Sequence, residues 1–181
     1  ETGSEVYLIQ EADEGFRLLC TATSEGRRGE LVSDASDAVQ ARKVPDIYLS
    51  GYQLKSSQWD DILGDGTARF DPDTGILYLN NATLNTSGGI ILPNPNGYGQ
   101  SYIDTVICVK DTSQPLHICL TGQNTITVKD GIAIYAGELT LSGSGTLTVT
   151  TSKTSYGAVV LTAGMTMTDS CKLNISSPAG K

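Results

Sequence analysis

One histidine, His117, stands among the 181 residues, and that scarcity excludes whole chemistries at once. A His-rich metal site is impossible, and any Ser–His or Cys–His dyad has to use His117. Aromatic residues are also few: one Trp, two Phe and eight Tyr. Basic residues are outnumbered, 12 Lys and Arg against 20 Asp and Glu, for a formal charge of -8. An acidic chain without a Lys/Arg cluster cannot neutralise phosphates, which supply most nucleic-acid affinity, so nucleic acid is excluded as a partner. No apolar run reaches the ~18 residues of a membrane helix, and no membrane insertion is expected of this sequence. Charged residues make up 18% of the chain, below the ~25% of ordinary globular proteins, which excludes a disordered polyelectrolyte.

The four cysteines, Cys20, Cys108, Cys119 and Cys171, form no C-x-x-C pair, which argues against a zinc knuckle or a thioredoxin-like centre. Cys108 and Cys119 lie in β-patterned segments, so a cross-strand disulfide and a pair of buried free thiols both remain open. The opening Glu1-Thr2-Gly3-Ser4 is expected to be a secretion-vector remnant and is set aside. Sequons at Asn81, Asn85 and Asn174 carry little weight in a chain rich in Asn, Ser and Thr.

What is present is self-similarity. Residues 118–128 (ICLTGQNTITV), 139–149 (LTLSGSGTLTV) and 165–175 (MTMTDSCKLNI) align without gaps. Each opens and closes with an apolar–polar–apolar triplet around a polar or glycine-bearing turn. Alternation of this kind is a strand pattern, because successive strand side chains point to opposite faces. A further short apolar element follows, at Ile132, Ile134 and Ala136 and again at Ala158 to Leu161. Repeats starting 21 and then 26 residues apart suit a coil of short strands. The fold expected is all-β, a right-handed parallel β-helix solenoid over 46–181, against a hairpin sandwich as the competing reading.

A looser copy lies upstream at Leu77, Leu79 and Leu84, and PNPNGYGQSY (93–102) interrupts the pattern as a turn-forming insertion. Residues 5–45 read differently. Leu31, Val32, Ala35, Ala38, Val39 and Arg42 have helical spacing, and solenoid ends need covering, so a small N-terminal cap with one short helix is expected there. SSPAGK follows an apolar triplet with no cap signal, which suggests a piece of a longer protein.

Three blocks in 46–85 carry a resemblance: Gly64-Asp65-Gly66-Thr67, Phe70-Asp71-Pro72-Asp73-Thr74 and Leu79-Asn80-Asn81-Ala82-Thr83. Together with Ile134-Tyr135-Ala136-Gly137 and Leu139-Thr140-Leu141-Ser142-Gly143, the stretch 46–175 resembles the secreted carbohydrate-binding β-helix domains of clostridial-type bacteria. The resemblance implies a secreted or cell-surface module for acidic or cellulosic polysaccharide, with calcium as a candidate cofactor.

The residues themselves offer two candidate sites. Asp71-Pro72-Asp73-Thr74-Gly75 begins like a calcium loop, and Asp60, Asp61 and Asp65 place further carboxylates nearby. The competing readings are a plain β-turn at 71–75 and a solvated acidic loop at 60–65. A carboxylate pair could also serve glycoside hydrolysis, but the His, Arg and Lys motifs of pectin-cleaving β-helix enzymes are missing, so no catalysis is expected. Trp59, Tyr52, Tyr98 and Tyr102 sit in polar, loop-like contexts, where flat aromatic faces suit pyranose rings. They would equally anchor a protein, and the competing reading has Trp59 packed under the cap with the tyrosines decorating a loop. The expected function is thus a non-catalytic module binding polysaccharide. The alternative is an adhesin holding a host surface protein, such as an immunoglobulin or immune receptor, through the solenoid face and cap.

Overall fold

The computed structural model describes residues 7, 13, 15–23, 26, 29–39, 46–85, 88–93, 99–153 and 156–177. The chain divides into two compact units, Glu1–Lys43 and Val44–Lys181.

The first unit holds a two-stranded antiparallel ribbon, β1 (Thr21–Thr23) and β2 (Glu30–Val32). Backbone bonds from Ser33 N to Cys20 O and from Ser36 N to Leu18 O, 2.8 and 2.9 Å, prolong it, as does an antiparallel bridge between Arg17 and Ala38. No helix forms among the described residues of this stretch: 30–32 are strand and Ala38 makes a bridge, while Arg42 lies outside the described residues. The physical reason is local. Ser33 Oγ and Ser36 Oγ accept the N–H groups of Cys20 and Leu18, both at 3.0 Å, so the hydroxyls tie this segment to the opposite arm of the ribbon, a local bond that competes with helix. Phe16, Leu19, Leu31 and Val32 are all more than half exposed, so the apolar spacing that suggested a helix face covers no core.

The second unit is almost wholly β. It contains β3 (Ile47–Leu49), β4 (Tyr52–Gln53), β5 (Ala68–Asp71), β6 (Ile76–Asn80), β7 (Thr83–Asn85), β8 (Gly89–Pro93), β9 (Gln100–Val109) and β10 (Leu116–Thr121). It continues with β11 (Gln123–Val128), β12 (Ile132–Gly143), β13 (Thr146–Thr151), β14 (Val159–Met167) and β15 (Lys172–Ser176). One nine-stranded sheet runs β4-β3-β9-β12-β10-β6-β5, with β14 on β12 and β8 on β9. A four-stranded sheet runs β15-β13-β11-β7.

These pairings overturn the expected right-handed parallel β-helix. The small sheet is parallel throughout, but the large one is mixed: β3/β4, β3/β9, β5/β6 and β8/β9 are antiparallel. Short connections account for β3/β4, β5/β6 and β8/β9, since two strands joined by a few residues can pair only antiparallel; β3 and β9 lie about fifty residues apart and no turn explains their pairing. Ser50 and Gly51 both take positive φ, 50° and 83°, the hairpin turn whose twist matches its strands, and Asp71–Gly75 folds β5 back on β6.

The ungapped alignment of the repeats is also corrected. β10 and β11 pair with β12 and β13 so that Ile118 faces Leu141 and Ile126 faces Val149, two residues beyond the partners the sequence suggested. A slip of two leaves every side chain on its own face, so alternation cannot reveal it. The second and third copies do pair as aligned, Leu139 with Met165 and Leu147 with Leu173. Within the stack, Leu77, Leu79, Leu84, Ile118, Leu120, Ile126, Leu139, Leu141, Leu147 and Val149 are buried in a single cluster.

Each turn between the two sheets passes through a left-handed residue: Asn81 at φ 55°, Gly122 at 66°, Gly143 at 91° and Asp169 at 58°. Only Gly, Asn and Asp adopt that conformation readily. Asn81 and Asp169 add a hydrogen bond each, Asn81 Oδ1 accepting Gln123 N and Asp169 Oδ2 accepting Gly143 N, both at 2.9 Å.

Candidate functional site

The acidic segment between the 3-10 turn Ser56–Gln58 and β5 is held down at its ends. Ile62 N donates to Ala68 O at 2.8 Å and Phe70 N to Trp59 O at 2.7 Å. Trp59 packs edge-on against buried Phe70, ring centroids 6.0 Å apart at 71°, on the margin of the core. The indole is thereby engaged with the protein interior. Arg69, the one cation between 60 and 73, lies 3.9 Å from the ring centre of Tyr78, its cross-strand partner.

The carboxylates organise backbone. Asp61 Oδ1 accepts the N–H groups of Gly64, Asp65 and Gly66 at 2.9, 3.1 and 3.0 Å. Asp65 Oδ1 accepts Thr67 N at 3.0 Å and Thr67 Oγ1 at 2.6 Å. The Thr67 hydroxyl, then its N–H, holds the Asp65 carboxyl below its ordinary value. Asp71 Oδ1 accepts Asp73 N at 2.8 Å, the main reason its own pKa is lowered, with the Thr74 hydroxyl second. Asp60, Asp61, Asp65, Asp71 and Asp73 thus share one segment, yet among the described residues no three His, Cys, Asp or Glu side chains converge as a metal group would need.

The aromatic candidates separate. Tyr98 lies outside the described residues. Tyr102 on β9 is 67% exposed and its hydroxyl accepts Gly89 N at 3.0 Å. Its cross-strand partner is Ile91, 52% exposed. Tyr52 on β4 is 71% exposed and lines a depression of about 450 Å³ with Gln53, Lys55, Ser57 and Gln58. Gln53 Nε2 donates to Asp46 Oδ1, and Gln58 Oε1 accepts Lys55 N at 3.2 Å, so both amides are oriented. The Gln, Lys and Ser members escaped the sequence reading, although the polar run QLKSSQ directly after Tyr52 was their signal.

His117 is half-buried on β10, with Nε2 2.8 Å from Ser142 Oγ on β12. The contact crosses neighbouring strands that the repeat alignment connected, in a register two residues away from the aligned one. Ser142 is only 9% exposed, and among the described residues no carboxylate bonds the other ring nitrogen, so the orienting member of a nucleophilic triad is missing. All four cysteines are free.

Compared with protein-family models, curated proteins and solved structures, the chain matches none of them.

Proposed function

We propose that the chain is a non-catalytic binding module, secreted or displayed at a cell surface, that takes an acidic polysaccharide. The observation that carries the reading is the Tyr52 depression. An exposed aromatic face beside two fixed amides and a hydroxyl is the equipment for one sugar ring, apolar on its C–H side and polar at its rim. Among the described residues lining it, Lys55 alone is charged, and it supplies the preference for a uronate or sulfate over a neutral glucan. The loop at 60–73 closes on its own carboxylate–amide bonds, so binding in this reading is calcium-independent.

Affinity electrophoresis through gels containing an acidic polysaccharide, a neutral one, or none tests it. Retardation is expected in the acidic gel, unchanged by chelator. Tyr52→Ala should abolish retardation, and Lys55→Ala should remove the acidic preference. Equal mobility in all three gels would sink the reading.

The exposed Ile91–Tyr102 pair favours a second reading, an adhesin for a host protein, since an aliphatic–aromatic cross-strand pair suits a protein surface better than a sugar. Protein captured from host secretions and lost with Tyr102→Ala, with no glycan bound, would favour it.

A further inference from the structure

The Tyr52 depression adjoins a second aromatic. Tyr52 follows Ser50-Gly51, the tight turn of the β3–β4 hairpin, and that turn is pressed against the start of the β8–β9 hairpin. A Cβ on Gly51 would lie 2.7 Å from the Gly88 carbonyl carbon and 2.9 Å from Gly89 N, and one on Gly89 would lie 2.4 Å from Ile103 O. Only glycine lets backbones approach so closely. Ser50 anchors the turn further, its N donating to Val106 O at 2.7 Å and its Oγ to Asn85 O at 2.6 Å. The two hairpins are therefore held in a fixed relation.

Tyr102 reaches the same junction from the other hairpin. Its hydroxyl accepts Gly89 N at 3.0 Å. That hydroxyl and Gly51 Cα each lie 3.9 Å from the position a Cβ on Gly88 would take, and Tyr52 is the next residue along. Two tyrosines, 71% and 67% exposed, thus flank one glycine seam, with Ile91 paired to the second. Their electrostatic surroundings differ. Lys55 lines the Tyr52 depression. From Asn85 through Ile103 the chain has no charged residue, and Asp104, which strand alternation sets on the same side of β9 as Tyr102, opposes an anion there.

Taken alone, the Ile91–Tyr102 pair suits a protein. Joined to the depression across a fixed seam, it is where a further ring of a bound chain comes to rest. We propose that Tyr102 and Ile91 form a second subsite, for a neutral ring, so that the module selects polysaccharides in which acidic and neutral rings alternate. The inference rests on the reading of the Tyr52 depression as a site for one acidic ring. Because the seam sets the spacing of the two tyrosines in advance, little ordering cost opposes the second contact, and affinity grows with chain length.

Titration calorimetry on the full chain tests this, with oligosaccharides of alternating uronate and N-acetylhexosamine, two to eight rings long, beside all-uronate chains of the same lengths. The alternating series should tighten at least ~10-fold from two rings to eight, and the all-uronate series much less. Tyr102→Ala should leave the two-ring ligand unchanged and flatten the rise. Tyr102→Phe, which loses the Gly89 bond but keeps the ring, should retain it. Should Tyr102→Ala unfold, Ile91→Thr decides, by lowering the gain with length. A parent that binds two rings and gains nothing with length, an equal rise in both series, or a rise untouched by Tyr102→Ala would overturn the second subsite and leave the Tyr52 reading standing. Absence of binding at every length in both series would instead bring down the Tyr52 reading, and this proposal with it.

Discussion

Asn124 and Leu147 occupy the same register position in neighbouring strands of the parallel sheet, and both side chains are fully buried. The leucine fills space. The asparagine bonds backbone on three sides, its Oδ1 accepting Ala82 N at 2.9 Å and its Nδ2 donating to Thr121 O at 3.0 Å and Thr146 O at 3.3 Å. Three strand–turn–strand units are thus joined by one amide. Asn124→Leu extends the apolar row yet leaves the N–H of buried Ala82 without its acceptor, while Thr121 O keeps Asn81 N as a donor. We expect urea denaturation to show a loss of about 1–3 kcal/mol for Asn124→Leu. A variant as stable as the parent would mean that water replaces the amide.

Asn81 separates two contributions to a single turn. Its φ of 55° is left-handed, and its Oδ1 accepts Gln123 N. Asn81→Gly keeps the conformation and loses the bond, at about 1 kcal/mol. Asn81→Ala loses the bond and adds about 1–2 kcal/mol of left-handed strain. Chemical denaturation should rank the parent above Gly and Gly above Ala. Equal losses for the two variants would assign the whole effect to the hydrogen bond.

Much of the second unit was legible in the sequence because period-two alternation survives any pairing. Leu139, Leu141, Leu147 and Val149 were readable as inward-facing from their spacing alone. The pairing partners were not, since a two-residue slip between β10 and β12 preserves every face. The antiparallel strands were lost for a different reason: Ser50-Gly51 reads as an ordinary loop unless both positive φ angles are anticipated. Trp59 stood open between a ligand face and packing because its neighbours are acidic, and Phe70, eleven residues on, draws it inward. Among the candidate ligand residues, composition singled out Tyr52, whereas Lys55 and Gln58 depend on the turn that brings them alongside it.

The two depressed carboxyls give stability a defined acid limb. A carboxyl held below its unfolded value contributes stability that is fully present above that value, and loses it as pH falls through the folded pKa. For Asp65 and Asp71 both directions are downward, so stability should be level from neutrality to about pH 5 and decline below about pH 4. Proton-detected titration of the Asp65 carboxyl should place its pKa below the ordinary value, and Thr67→Val should return it most of the way, because the hydroxyl is the main cause. No movement on Thr67→Val would assign the depression to the backbone alone.

Cys108 faces Tyr48 and Tyr135 across neighbouring strands and is 0% exposed. Burial pushes its thiol up to about 12, Lys110 opposing only in part. At pH 8 the thiolate fraction is then on the order of one in ten thousand, and access is closed as well. Cys20 is exposed. An aromatic disulfide reagent at pH 8 should therefore modify Cys20 within minutes and leave Cys108 untouched until the second unit unfolds. Peptide mapping of the labelled sites over time checks this. In a Cys20→Ser variant any native-state label should fall on the partly buried Cys119 and Cys171, and Cys108 should gain label only across the urea transition. Rapid labelling of Cys108 in the native protein would mean that β9 opens locally, and that the β3–β9–β12 pairing around Tyr48 and Tyr135 is weaker than its burial implies.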